Sequence, residues 1–90
     1  MSKGYSGIPE YPLVIIEWVD SSRVGDGWVD LEEIGDPDPH TCVSVGFLVK
    51  ENKNGKILIP TVADVKNITN RHTHGGIMIP PCSILSEREL

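Results

Sequence analysis

Cys42-Val43-Ser44-Val45-Gly46-Phe47-Leu48-Val49-Lys50, running on through Glu51-Asn52-Lys53-Asn54-Gly55 into Lys56-Ile57-Leu58-Ile59, decides the fold class. Val43, Val45, Phe47 and Val49 fall on one side of an extended chain, and Cys42, Ser44, Gly46, Leu48 and Lys50 on the other, a period of two. Asn54-Gly55 between two apolar runs is the strongest short-range hairpin signal, because both residues adopt positive φ readily. Strands over 42–51 and 56–63 are therefore expected to pair antiparallel. Gly46, in the middle of the longer strand, suits either a sharp bend of the sheet or close packing against a bulky neighbour.

Upstream, Leu13-Val14-Ile15-Ile16-Glu17-Trp18-Val19-Asp20 alternates imperfectly. Val14, Ile16 and Trp18 share one face; Leu13, Ile15, Glu17 and Val19 share the other. Both faces are mostly apolar, which predicts a central or interface strand. Downstream, Gly76-Ile77-Met78-Ile79-Pro80 is a short strand closed by Pro80-Pro81, which cannot donate ladder hydrogen bonds. Residues 84–90 supply a fifth. Between the first two strands, residues 27–35 predict one short helix, with Trp28, Leu31 and Ile34 on one face, Asp26 at its start and Gly35 at its end. Asp36-Pro37-Asp38-Pro39 after it is irregular, since each Pro restricts its predecessor. Five short strands with one helical insertion predict an all-β fold, a small, strongly bent antiparallel barrel of the Sm-like or SH3-like kind. Residues 1–10 read as a flexible lead-in and 11–90 as one domain.

Composition bounds the function. Apolar residues make up 39% and charged residues 23% of the 90, the balance of a soluble globule. A spanning helix needs about 20 apolar residues, and the run 13–16 ends at Glu17. No membrane partner is expected, and without a secretory signal the location expected is the cytoplasm. For the same reason, Cys42 and Cys82 read as free thiols and Asn67-Ile68-Thr69 as an unused glycosylation acceptor. The formal charge of −5, with eight Lys and Arg scattered among thirteen acids, disfavours nonspecific nucleic-acid binding by one copy.

Sequences with chemical overtones fall short of a site. Residues 20–27 start like a calcium loop, but Val24 stands at an oxygen-ligand place and Leu31 where the bidentate Glu belongs. His40, Cys42, His72, His74 and Cys82 have metal-ligand chemistry without knuckle spacing, so no metal and no cofactor are expected. There is no Gly-x-Ser-x-Gly elbow, phosphate-cradling loop or Cys-His signature, and no enzyme is expected. Glu32, Glu33, Asp36 and Asp38 form an acidic segment.

The pattern of residues 16–20, then 42–49, a hairpin, and 76–80 with Ser83-Ile84, resembles small open reading frames of bacteriophage genomes and marine phage metagenomes. The strand order, with a last strand reached after a very short turn at Pro80-Pro81-Cys82, is similar to the Sm-like small barrel. The resemblance implies barrels joined edge to edge in a closed ring of roughly five to seven copies. In that family such rings bind RNA. Lys50-Glu51-Asn52-Lys53-Asn54 is loosely similar to one of its RNA-binding loops; the Arg-Gly pair of the other is replaced by Pro80-Pro81. A ring would repeat two loops, bringing Lys50, Asn52, Lys53 and Asn54 together with Lys66, Arg71, His72 and His74 as candidate ligand-binding residues for RNA or single-stranded DNA. The alternative expectation is a structural or protein-interaction role in a phage particle or infected cell, favoured by the acidic charge and few aromatic residues.

Overall fold

The computed structural model describes residues 7–21 and 27–90. Five strands form one antiparallel sheet: β1 Leu13–Asp20, β2 His40–Asn52, β3 Gly55–Ile59, β4 Ile77–Ile79 and β5 Ile84–Glu89. Their order across the sheet is β4-β3-β2-β1-β5. The apolar double-faced segment 13–20 is central, paired to β2 from Leu13↔Phe47 to Asp20↔His40 and to β5 on its other side.

Register sorts the side chains. Val14, Ile16 and Trp18 stand opposite Gly46, Ser44 and Cys42, so each bulky residue of β1 meets a small one of β2 on the same face. That face is the core: Val14, Ile16, Leu58 and Ile79 are buried together, with Trp18, Leu48 and Ile84 packed against them. Trp18 also donates from Nε1 to Ser44 Oγ at 3.0 Å. The more apolar face of β2 therefore points outward, and Val43 and Val45 are 60% and 53% exposed.

The sheet curls around this core. Gly46 is the tight point of the bend: a Cβ there would lie 2.8 Å from Ile59 O and 3.3 Å from Leu58 Cβ. The close neighbour is the backbone of β3 rather than a bulky side chain, and the β2–β3 register shifts just beyond it, between Leu48 and Lys50. Curling brings Lys56 of β3 onto Glu87 of β5, although two strands separate them in the sheet. No ladder joins β4 to β5, so the sheet is strongly bent but open where a closed barrel was expected. Residues 81–83 form a single 3-10 turn between them, held by Ser83 N donating to Pro80 O.

Three further expectations change in detail. The strand expected over 56–63 stops at Ile59, where Pro60 follows. The hairpin places Lys53 and Asn54 at its tip with ordinary negative φ, and Asn54 N donates to Asn52 Oδ1; Gly55 alone is left-handed, at φ 151°. There it passes so close to β4 that a Cβ would meet Ile79 O at 2.6 Å. The helix expected over 27–35 is absent, with one 3-10 turn, Leu31–Glu33, in its place. A helix of two turns leans on tertiary packing, and this segment has none: Trp28, Leu31 and Ile34 all face solvent. The expected cap Asp26 lies outside the described residues, as does most of the calcium-like loop. At the other end, Ile8 is 6% exposed and Tyr11 N donates to Ile8 O, so the chain just before β1 is tied down.

Candidate functional site

The eight residues expected to line a binding surface divide into two groups. Lys50, Asn52, Lys53 and Asn54 lie at the β2–β3 turn, before β3; Lys66, Arg71, His72 and His74 lie in the connection 60–76, after it. β3 spans about 13 Å between them, so one copy offers two separate basic loops.

Within the second loop, two of the four are already engaged. Arg71 donates from Nε to Val65 O at 2.7 Å and from its guanidinium to Glu10 Oε2 at 3.1 Å, and it lies 6.0 Å from the Tyr11 ring centre. A backbone hydrogen bond and then Arg71 hold the Glu10 carboxyl below its usual range. His72 pairs with Ala63 in an isolated bridge and sits 3.5 Å from Asp64 Oδ2. These contacts close the loop on itself and onto the N-terminal turn. Lys50, Lys53 and Lys66 are exposed and have no ion pair among the described residues. Among the described residues, no group of three or more His, Cys, Asp or Glu is placed to hold a metal; His40 and Cys42 lie on β2, His72 and His74 in the connection 60–76 and Cys82 in the turn 81–83. No helix among them is long and apolar enough to cross a membrane.

The unusual features lie elsewhere. β4 and β5 each bond to one neighbour only, leaving a free backbone edge on both sides of the sheet. Ile77, Met78 and Leu85 on these edges are exposed. Every residue from 27 to 39 is exposed, with Trp28 at 104%. This arm holds Asp30, Glu32, Glu33, Asp36 and Asp38 and no cation; the rest of the chain keeps eight acids against eight Lys and Arg, so the arm carries a charge equal to the whole −5. An apolar strip, Val43, Val45 and Phe47, runs along the outside of β2 to a groove of about 470 Å³ lined by Ile8, Phe47, Pro60, Val62 and Val65.

The outward strip escaped the sequence reading because alternation marks two faces without saying which is inside.

The chain matches no protein-family model, no curated protein and no solved structure.

Proposed function

We propose that the protein is a non-enzymatic assembly and binding module whose copies join through the free edges of β4 and β5. The free backbone edges of β4 and β5, each bonded to one neighbour only, carry the reading. The order β4-β3-β2-β1-β5 supports it, because the two edges are different strands. An antiparallel pairing of β4 in one copy with β5 in the next is heterologous and closes into a ring if the rotation per copy divides a full turn. On this reading the chain is an Sm-like subunit of phage type, with roughly five to seven copies in the ring, and the assembled body serves as an interaction platform for proteins of a phage particle or infected cell.

Amide hydrogen exchange on the full chain tests the joining. Residues 77–79 and 84–89 have backbone groups that bond within the sheet and others that face outward. If copies join at these edges, the outward amides exchange slowly and speed up on dilution. Fast exchange of the outward amides at every concentration refutes edge joining.

A second reading gives the ring RNA or single-stranded DNA as ligand, and the unpaired Lys50, Lys53 and Lys66 favour it. Repetition around a ring multiplies three cations per copy into a basic surface that one copy lacks. Affinity for an oligonucleotide must then fall steeply with salt; salt-independent binding, or none at low salt, excludes nucleic acid.

A further inference from the structure

We propose that Asn54, at the tip of the β2–β3 hairpin, is a modification site: its side-chain amide is lost to attack by Gly55, the residue re-enters the chain as isoaspartate, and the longer backbone expels β4 from the sheet. The reaction does not depend on copies joining, but it removes an edge on which joining relies.

Four asparagines offer a side-chain amide, and the structure singles out one. Asn52, Asn54, Asn67 and Asn70 are followed by Lys53, Gly55, Ile68 and Arg71. Attack by the next residue's nitrogen is least hindered where that residue has no side chain. Asn52 Oδ1 and Asn67 Oδ1 are engaged, accepting from Asn54 N and Thr69 Oγ1. The Asn54 carboxamide is exposed and has no partner among the described residues. It borders a hollow of about 140 Å³ shared with Gly55, Ile57 and Met78, which gives it room to turn onto Gly55 N.

The chemistry needs only water. Gly55 N gives up its proton and attacks Asn54 Cγ; the Cγ–Nδ2 bond breaks, and Nδ2 leaves with the electron pair and a proton, as ammonia. The product is a five-membered imide in which Gly55 N joins Cγ to the Asn54 carbonyl carbon. Water reopens it at either carbonyl. Cleavage between Gly55 N and Cγ leaves aspartate on an unchanged backbone. Cleavage between Gly55 N and the carbonyl carbon leaves isoaspartate, whose chain runs through Cβ and Cγ and is one atom longer. Either product adds one negative charge to the formal −5, beside Lys53.

The fold gates the first step and amplifies the last. Gly55 pairs with Asn52 across the turn, so its nitrogen must leave the ladder before it can attack. At φ 151°, Gly55 packs against β4 without room for another atom: a Cβ there would lie 2.6 Å from Ile79 O and 2.8 Å from Met78 Sδ. An atom inserted just before Gly55 drives it onto this neighbour or pulls Lys56 out of register with Glu51. β4 is the strand that yields, because its ladder has the three pairs Lys56↔Ile79, Ile57↔Met78 and Leu58↔Ile77, where β1 and β2 share eight.

The test incubates the full chain in mildly alkaline buffer, folded and in urea, follows each asparagine by peptide mass and detects isoaspartate by enzymatic methylation. Asn54 converts while Asn52, Asn67 and Asn70 keep their amides, at least about tenfold more slowly in the folded chain than in urea. Amide exchange of residues 77–79 is at least about tenfold faster in the isoaspartyl fraction than in the parent, and Asn54→Asp, which has the charge without the extra atom, matches the parent. Conversion confined to urea overturns the site, and equal rates in both overturn the gate. An isoaspartyl chain with 77–79 as protected as in the parent, or an Asn54→Asp variant that exposes them equally, overturns the expulsion of β4 by the longer backbone.

Discussion

Replacing Gly46 with alanine puts a Cβ 2.8 Å from Ile59 O and 3.3 Å from Leu58 Cβ. The first neighbour is backbone and is pinned by the pairs Phe47↔Ile59 and Leu48↔Leu58, so relief requires β3 to move away from β2 at the bend. Leu58 and Ile59 are buried, and their displacement loosens the core against Ile79. Overpacking of this kind costs about 1–3 kcal/mol. The smaller conformational entropy of an unfolded alanine returns about 0.4–1 kcal/mol. The net loss is about 1–2 kcal/mol, and at about 4–8 °C per kcal/mol for a domain of this size the melting point falls by roughly 5–15 °C. Thermal unfolding followed by circular dichroism, at one fixed protein concentration because assembly shifts the midpoint, reads the change. Gly35→Ala is the control: that glycine is exposed, and no atom lies within 4 Å of its added Cβ. A Gly46→Ala variant that melts with the parent would show that the bend does not depend on close approach of β3.

Further substitutions probe the core and the mouth of the sheet. Leu58→Ala removes a 2%-exposed side chain from the shared core and should cost about 2–5 kcal/mol in denaturant unfolding. Trp18→Phe keeps one aromatic ring but loses the pyrrole half of the indole and its bond to Ser44 Oγ; a cost of about 1–3 kcal/mol with unchanged solution mass marks Trp18 as core, and dissociation without loss of stability would mark it as an interface residue. Lys56 is held above its ordinary value of 10.5 by hydrogen bonds to Glu87 and, less, to Glu51. A raised folded value means its contribution is full below pH 10.5 and disappears as pH climbs through the folded value. Stability of the parent should therefore drop in that alkaline window by at most about 1 kcal/mol, since the group is partly solvated. Lys56→Met should lack that drop, and an identical alkaline profile in both would remove the ion pair as its cause.

How much of this was legible in the residues depends on what each signal encodes. Period-two alternation placed β1 and β2, and Asn-Gly placed the β2–β3 hairpin, because these are local properties of backbone and side chain. Alternation could not say that Val43 and Val45 look outward: that follows from Trp18 and Ile16 needing small partners, Cys42 and Ser44, across the ladder. Trp28, Leu31 and Ile34 have helical spacing, yet spacing stabilises a helix only when a surface receives the face, and here they project into solvent. The two basic loops were each visible, whereas their separation by the length of β3 is tertiary information. Closure into a barrel was expected because a free edge is costly; the open sheet leaves β4 and β5 to be covered by other means.

Light scattering coupled to size exclusion, run over a hundred-fold range of concentration, bears most directly on assembly. Edge-to-edge joining gives one discrete mass that is a whole multiple of 9.9 kDa, roughly five to seven copies, and smaller species on dilution. A mass of 9.9 kDa at every concentration would contradict it, leaving the free edges without a second copy to cover them.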